Sequence, residues 1–280
     1  MKNIFYILFV INILFTQTEY QILSLPHNAF RLSTNNGSHN LNSIYSERFN
    51  YDSTYSFSSI TYPENITLYN SHIKNVSLSI LDYGQFENKI DDIVLNIFHA
   101  YEISLIYNKH KNINELTKYG LSIGGVYSSI HNYHSAGIFS TMALKRKIKN
   151  AEIGVSIENA GLVLKPYTDY KMNLPLQYRL SLLYFINQIQ ASYDIIYSKY
   201  QNELQHIINL SLPVSNNISL ILGNTSNSNT LSIENYDFNF LSGLSCGLNL
   251  NLNKINLDIG IKNLGPAGLV FGLTLNFLSI

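Results

Sequence analysis

The last forty residues of the chain carry the pattern that decides its fold. From Leu244 to Phe277 the sequence reads LSCGLNLNLNKINLDIGIKNLGPAGLVFGLTLNF. Apolar residues hold every second position in three consecutive runs, and the positions between them are mostly Ser, Asn, Gly and Thr. Asn253-Lys254 and Gly265-Pro266 interrupt the alternation as short turns. A period of two indicates strands with one apolar and one polar face, so the region is predicted to be an antiparallel meander.

The same alternation predicts which way single side chains point. Ile259 and Leu273 should share the apolar face of the meander. Asp258 and Thr274 should share its polar face. The only cysteine, Cys246, falls on an apolar position, so we interpret it as a small packed side chain. A single cysteine cannot form an internal disulfide.

The composition narrows the class of protein. The chain has 280 residues, a formal net charge of zero, 21 tyrosines and no tryptophan. Zero net charge gives no electrostatic basis for binding nucleic acid or an acidic membrane surface. Only 13% of the residues are charged, about half of the usual share in soluble domains. The many aromatic and β-branched residues favour sheet.

The first residues have the pattern of an export signal. Lys2 precedes an apolar run from Ile4 to Phe15, which is too short to span a membrane as a helix. Residues 1–19 are therefore predicted to be a signal peptide, with cleavage near Thr16–Glu19 and no lipid-modified cysteine. No later stretch reaches 18 uncharged apolar residues. If the exported chain spans a membrane, it must do so as a closed β-barrel.

The region after the signal is predicted to be the least regular part of the chain. Residues 20–75 are interpreted as a loop-rich N-terminal segment with irregular strands. Ser33 to Ser43 is rich in Ser and Asn and is typical of a loop. Short β-like pieces follow at Tyr55–Thr61 and Ile66–Tyr69.

The remaining residues, 76–280, are predicted to form the main barrel strands. Asp82-Tyr83-Gly84 is expected to turn the chain, Lys109 to Lys118 to be a polar hairpin loop, and Lys145-Arg146-Lys147 to be a solvated hairpin tip. The pattern predicts about 12–14 strands, spaced about 15–20 residues apart, which suits a transmembrane antiparallel β-barrel. The predicted fold class is all-β.

Alternation alone does not separate a membrane barrel from a soluble exported sandwich, because both have two-faced strands. Three observations favour the barrel. The signal exports the chain, the apolar face continues through the last strands, and the polar face is small and mostly uncharged, whereas a soluble exterior would carry more Lys and Glu. The predicted location is the cell outer membrane.

No motif in the sequence indicates chemistry. His131 and His134 have an H-x-x-H spacing that points them to opposite faces of a strand, which is poor geometry for one metal ion. Glu152 and Glu158 share a face but lie about 20 Å apart along a strand, too far for a general acid–base pair, so they are expected to line the lumen. Gly124-Gly125 is read as a bend or a close contact in the lumen. We predict no catalytic, cofactor-binding or metal-binding residue, no cofactor and no enzyme activity.

Several segments, taken in their order along the chain, resemble the PorV/PorQ group of outer-membrane proteins of the Bacteroidota type IX (Por) secretion system. These are Asp82–Phe86, Tyr119–Gly125, Tyr127–Ser129, Asn132–Gly137, Gly154–Gly161, Leu164–Tyr167, Leu174–Tyr178 and Gly243–Phe277. The first and the last of them resemble PorQ more than PorV.

This resemblance implies a function of holding a partner. The chain would be an integral barrel that anchors or scaffolds the cell-surface complex attaching cargo. Its partners would be membrane lipid and PorZ-, PorU- and PorV-like proteins, and no nucleic acid. The N-terminal motifs of the group are scarcely visible in residues 26–64 and the chain is shorter than usual for the group, which leaves open whether the lumen has a plug.

Two other functions stay open. The same fold family includes the fatty-acid-transporter-like barrels, so the first alternative is an outer-membrane transport barrel for hydrophobic small molecules. Such a transporter needs an apolar groove in the lumen and an N-terminal hatch. The second alternative is a purely structural barrel.

Overall fold

A computed structural model describes residues 20–37, 53–90, 93–168, 173–199, 202–226 and 241–278. The signal-peptide prediction for residues 1–19 lies outside them. Within them, fourteen antiparallel strands form a closed barrel in which each strand pairs with the next and the last pairs with the first. The strands are β1 (Ser53–Thr61), β2 (Thr67–Ile73), β3 (Val76–Ile90), β4 (Ile93–Asn112), β5 (Thr117–Ile130), β6 (Tyr133–Ile148), β7 (Ala151–Lys165), β8 (Gln177–Ile186), β9 (Ile189–Ser198), β10 (Glu203–Ser215), β11 (Ile218–Thr225), β12 (Ser245–Leu252), β13 (Ile255–Asn263) and β14 (Leu269–Leu278). The prediction of an all-β transmembrane barrel is confirmed, at the upper end of the predicted strand count.

The barrel begins earlier in the chain than the predicted boundary at residue 76. The strands β1 and β2 are regular and fully paired, and β1 closes the barrel against β14. Their inward positions include apolar Ile60 and Leu68 beside Ser56 and Ser58, and Pro63 stands in the connection between them. The predicted β-like pieces Tyr55–Thr61 and Ile66–Tyr69 are thus parts of two barrel strands, in a segment that was predicted to be irregular.

Burial confirms the predicted facing of the last strands. Thr274 and Asp258 are each 2% exposed and point inward, whereas Leu273 is 47% and Ile259 37% exposed on the outer face. Cys246 is also exposed, on the apolar outer face to which its position assigned it, so the interpretation of a packed side chain is wrong. The apolar face of these strands therefore points outward, as a barrel surrounded by lipid requires.

The three predicted turns in the middle of the chain lie within strands. At Asp82-Tyr83-Gly84, β3 bulges, Gly84 adopts φ 81°, and pairing with β4 resumes at Gln85. Lys109 to Lys118 consists mostly of the paired ends of β4 and β5, and only residues 113–116 form the loop. Lys145-Arg146-Lys147 belongs to β6, and the turn follows at residues 149–150. These polar residues were mistaken for turns because the strands continue beyond the apolar band that faces lipid, and their ends there are polar.

The two ends of the barrel differ in their connections. The end at which β1 begins and β14 ends has two-residue turns and one four-residue turn, at residues 113–116. The other end carries the longer connections, up to residues 226–244. Outer-membrane barrels have short turns in the periplasm and longer loops outside the cell, so these ends are the turn end (periplasmic) and the loop end (extracellular).

Exposed aromatic residues mark two levels on the outer surface, with aliphatic side chains between them. The aromatic residues near the loop end are Tyr69, Tyr127, Tyr178, Tyr197 and Phe271, and those near the turn end are Tyr55, Tyr107, Tyr119, Tyr184 and Phe277. Girdles of this kind sit at the two membrane–water interfaces of outer-membrane barrels. The outer face is thus built for a lipid bilayer, which agrees with the outer-membrane location.

The described residues contain one short α-helix, α1 (Ala29–Ser33), in the segment that precedes the barrel. Asn28 caps it, because its side-chain oxygen accepts a hydrogen bond from the Arg31 amide at 2.8 Å. Asn35 and Asn36 then adopt left-handed conformations that end the helix. Part of the predicted Ser33–Ser43 loop is therefore ordered, and residues 38–43 lie outside the described residues. Among the residues described, no helix has the length and apolar character needed to cross a bilayer.

Candidate functional site: the lumen and its plug

Residues 20–37, which we call the plug, lie inside the barrel. Helix α1 contacts β11, β12, β13, β14 and β1, and the turn at Gln21–Leu23 contacts β3 and β4. Ile22 and Leu32 of the plug are fully buried. The sequence left the presence of a plug open, and the structure places one in the lumen. The plug carries no recognisable motif because its burial depends on the surrounding wall, and a five-residue helix has little stability of its own.

A row of glycines on the wall receives helix α1. Gly247 pairs with Gly260, and Gly260 pairs with Gly272, so the three lie side by side across β12, β13 and β14. A Cβ at Gly260 would stand 2.3 Å from the Ala29 carbonyl oxygen, and one at Gly247 would stand 2.0 Å from the Ser33 hydroxyl. Only glycine leaves room for the helix at this distance. We call this row, together with Gly223 on β11, the glycine seat.

Hydrogen bonds from wall side chains hold the helix on the seat. Thr274 Oγ1 accepts a bond from the Ala29 amide at 2.8 Å. Ser245 Oγ donates to the Ser33 carbonyl at 2.6 Å and accepts from Asn35 Nδ2 at 2.9 Å. These bonds satisfy backbone groups at both ends of α1 that a short helix leaves without intrahelical partners.

On the opposite wall the plug meets buried charges. Arg179 donates from Nε to Glu158 Oε1 at 2.8 Å, and its Nη1 lies 3.7 Å from Asp194 Oδ1. Nη1 also donates to the Asn36 carbonyl of the plug. All three side chains are less than a tenth exposed. The polar face, which was predicted to be mostly uncharged, thus carries a charged cluster in the lumen, because charges that pair with each other can be buried where isolated charges cannot.

A second carboxylate holds the beginning of the plug. Glu102 on β4 is 5% exposed and accepts bonds from the Ile22 amide at 2.9 Å and from the Tyr83 hydroxyl at 3.0 Å. The bulge in β3 turns Tyr83 inward to make this contact. Nearby, His27 Nδ1 lies 2.8 Å from Ser79 Oγ. Burial, and then the charge of Arg31, lowers the pKa of His27 to about 3, so the imidazole is neutral at physiological pH.

An apolar cluster fills the lumen at the loop end. It joins plug residues to inward side chains of the wall and to the connections above them. Its fully or nearly buried members are Tyr20, Ile22, Leu32, Ile60, Leu68, Leu81, Val126, Phe139, Leu174 and Val270, with Tyr62, Ile66 and Leu264 packed against them. The part of the lumen nearest the loop end is therefore packed with apolar side chains.

The residues singled out from the sequence are not brought together. Glu158 pairs with Arg179, and Glu152 forms an ion pair with Lys145 nearer the turn end, so both line the lumen as predicted but act separately. His131 Nε2 lies 2.9 Å from Asn96 Nδ2, whereas His134 Nδ1 lies 2.9 Å from the Tyr127 hydroxyl.

In the Gly124-Gly125 dipeptide, Gly124 makes the close contact in the lumen that was predicted. A Cβ there would stand 2.6 Å from the ring of Phe139. Within the described residues, no group of three or more His, Cys, Asp or Glu side chains could hold a metal ion.

The sequence matches no protein-family profile and no curated protein. Among solved structures, the barrel is similar to a mutant of the monoaromatic hydrocarbon channel TodX, with a TM-score of 0.53 and 11% identity over 80% of this chain and 88% of the other. Weaker similarities include the Pseudomonas putida toluene transporter TodX (TM-score 0.47, 10% identity, 79% and 86% covered) and a Pseudomonas aeruginosa FadL homologue (TM-score 0.46, 8% identity, 80% and 88% covered). The first similarity supports the fold, an outer-membrane β-barrel.

The sequence reasoning missed the parts of the site that hold the plug. Gly247, Gly260 and Gly272 stand on the polar face at matching positions of three successive strands. That recurrence was the available signal, because a strand interior gains little from glycine unless another backbone approaches closely.

Proposed function

We propose that this protein is a gated outer-membrane channel for small apolar molecules, in which the plug controls passage. The observation that carries the proposal is the way the plug is held. It closes the lumen through the side-chain hydrogen bonds described above and through contact with the glycine seat. Contacts of this kind can break one at a time, whereas a strand inserted into the wall would have to leave a whole ladder of backbone hydrogen bonds.

The apolar cluster at the loop end supports the choice of ligand. Binding sites for small molecules are concave and mostly apolar, with few polar groups. Aromatic side chains, Tyr62 and Phe139, border the cluster together with aliphatic ones. The similar solved structure is described as a monoaromatic hydrocarbon channel, which makes toluene a suitable first probe.

The proposal can be tested by locking the plug to the wall. A Cβ placed on Gly272 would lie 3.3 Å from the Cβ of Ala29, close to the separation of about 3.5–4.5 Å found in disulfides. We expect the double variant Ala29→Cys/Gly272→Cys, made with Cys246→Ser, to take up labelled toluene slowly when oxidised. Reduction should restore uptake to the level of the single-cysteine variants.

The single variants Ala29→Cys and Gly272→Cys in the same background are the matched controls. They carry the same substitutions but cannot form the disulfide, so oxidation should leave their uptake unchanged. Equal uptake by the oxidised and reduced double variant, with the disulfide shown to be formed, would contradict plug gating.

Anchoring of a type IX surface complex is the second candidate, and the projecting β3–β4 hairpin favours it. The strands β3 and β4 stay paired from Gln85 to His99, beyond the point where β2 ends at Thr67, so they form a ribbon above the barrel rim. Such a ribbon offers a docking surface for PorZ-, PorU- or PorV-like partners. Deleting the gene should then impair surface display of cargo with normal toluene uptake, whereas the channel proposal expects the reverse.

A further inference from the structure

Positive charge is concentrated on one side of the turn end. The turn after β2, the hairpin of β4 and β5, and the hairpin of β6 and β7 are neighbours around the barrel. Their exposed cations are Lys74, Lys109, Lys111, Arg146, Lys147 and Lys149. Among the described residues, the carboxylates at the turn end of the same hairpins are Glu115 and Glu152, and Glu152 is paired with Lys145 on the inward face. This side of the turn end therefore carries a strong net positive charge.

The rest of the barrel does not share this charge. On the other side, the turns at Asn187-Gln188 and Asn216-Asn217 have no charged residue, and the turn at Asn253-Lys254 has one. At the loop end, the described carboxylates Glu64, Asp82, Glu87 and Glu203 are matched in number by Lys89, Lys165, Lys199 and Lys262. Exposed cations of the turn end are therefore concentrated in one sector of the barrel.

Three of these cations point outward, toward lipid. Lys109 and Lys111 lie on the outer face of β4, two and four residues beyond Tyr107, and Lys111 stands directly opposite Tyr119 on β5. Arg146 occupies the outer face of β6, two residues beyond Leu144, which itself stands opposite Tyr119. We call Lys109, Lys111 and Arg146 the basic belt.

The depth of the basic belt matches that of phospholipid head groups. Tyr107 and Tyr119 belong to the aromatic girdle of the turn end, which marks the membrane–water interface. A step of two residues along a strand is about 7 Å, so the belt begins just outside the hydrocarbon region. Long basic side chains at this depth can keep their stems against the apolar surface and place their charges among the head groups.

We propose that the basic belt is a binding site for anionic phospholipid head groups of the periplasmic leaflet. Each belt cation offers a positive charge and hydrogen-bond donors to a lipid phosphate, and basic residues near an anionic membrane surface attract it. The outward direction favours lipid over a soluble partner, which would approach along the barrel axis. The site orders anionic lipid around one sector of the barrel and leaves the lipid around β8–β14 unselected.

The experiment compares lipid selectivity in reconstituted bilayers. The full chain is placed in phosphatidylcholine bilayers that contain spin-labelled phosphatidylglycerol or spin-labelled phosphatidylcholine, and electron paramagnetic resonance measures the share of each label at the protein surface. We expect wild type to prefer phosphatidylglycerol by about threefold or more at low salt. The triple variant Lys109→Gln/Lys111→Gln/Arg146→Gln should show a preference near one, and 1 M salt should reduce that of wild type.

The matched control is Lys165→Gln/Lys199→Gln/Lys254→Gln, which removes the same number of charges elsewhere and should keep the wild-type preference. Heat-modifiable migration on gels verifies that all three proteins are folded barrels. No preference in wild type, or a full preference in the belt variant, would overturn the proposal. A second result would also overturn it. If detergent-solubilised protein binds purified peptidoglycan sacculi, and the belt variant loses this binding while its lipid selectivity stays unchanged, the cations bind an acidic wall polymer.

Discussion

The plug is held by two walls that work in different ways. On the glycine seat, across β11 to β14, the contact is one of shape, since backbone packs against backbone with two wall hydroxyls at the helix ends. On the opposite wall the contact is one of charge, since Arg179 binds Glu158 and the plug carbonyl of Asn36.

The difference teaches how a segment can be both fixed and movable. Contact with the seat can be lost in small steps, because each dispersion contact is individually weak. The charged wall is less tolerant, because moving the plug takes from the buried Arg179 guanidinium the Asn36 carbonyl that it binds. The charged wall therefore sets the position of the plug, and the seat allows it to leave.

The largest effect is expected on the charged wall. Arg179→Met keeps most of the side-chain volume but leaves Glu158 and Asp194 buried without their cation. The free energy of unfolding should fall by about 3–5 kcal/mol, measured by urea titration of the folded protein in detergent. Lys165→Met, which removes an exposed cation at the loop end, is the control and should have no effect. A loss of less than about 1 kcal/mol for Arg179→Met would show that the charged wall does not fix the plug.

The lipid-facing sides of the two walls should lose similar stability on substitution by Arg. The difference between the walls would then lie only in the lumen. Leu273 on β14 is 47% exposed and Val155 on β7 is 45% exposed, both on the lipid side. Changing either to Arg should cost about 2–4 kcal/mol of unfolding free energy in a bilayer. Ser219→Arg on the half-buried lumen face of β11 should cost much less. Thr274 is unsuitable for this comparison because the plug covers it. Unequal losses at Leu273 and Val155 would mean that the two sides lie at different depths.

A single added methyl group tests the shape of the seat. Gly260→Ala places a Cβ 2.3 Å from the Ala29 carbonyl, so the plug or the strand must move. Overpacking of this kind costs about 1–3 kcal/mol, and limited proteolysis should cleave the plug faster than in wild type. Gly125→Ala is the matched control, since the nearest atom to its Cβ would be 3.8 Å away. Equal proteolysis of both variants would argue against close packing on the seat.

The smallest effect is expected for one hydroxyl at the seat. Thr274→Val removes the acceptor of the Ala29 amide and should lower the unfolding free energy by about 1 kcal/mol. Thr274 Oγ1 also donates to Ser58 Oγ at 3.1 Å, so Ser58→Ala serves as the control that loses only this second bond. If both variants lose the same amount, the bond to the plug contributes nothing measurable.

The outer face of the barrel could be predicted from the sequence, because lipid imposes a strict alternation. Every second residue from Leu244 to Phe277 obeys it, and the facing of Leu273 and Thr274 followed directly. Strands β1 and β2 were harder to recognise, since inward Ile60 and Leu68 and outward Ser59 and Ser71 weaken the contrast between the two faces.

The interior could not be predicted in the same way. Arg179 and Asp194 look like ordinary polar positions of a strand, and only the closed barrel brings them together with Glu158. The plug residues Ile22 and Leu32 are too few to give a period, and their burial depends on wall strands that follow up to 245 residues later in the chain. The glycine seat was visible in the sequence, but its meaning depends on the partner that lies on it.

Thr274 also ties together the first and last parts of the chain to be synthesised. It binds Ala29 in the plug and Ser58 in β1, while β14 forms the seam that closes the barrel. Contacts between such distant residues form late in folding, because a long loop must close first. The plug therefore cannot find its full seat until β12, β13 and β14 are present, and a chain that stalls before β14 has neither a closed wall nor a completed seat. Pairing of β1 with β14 and docking of the plug therefore belong to the same step of folding.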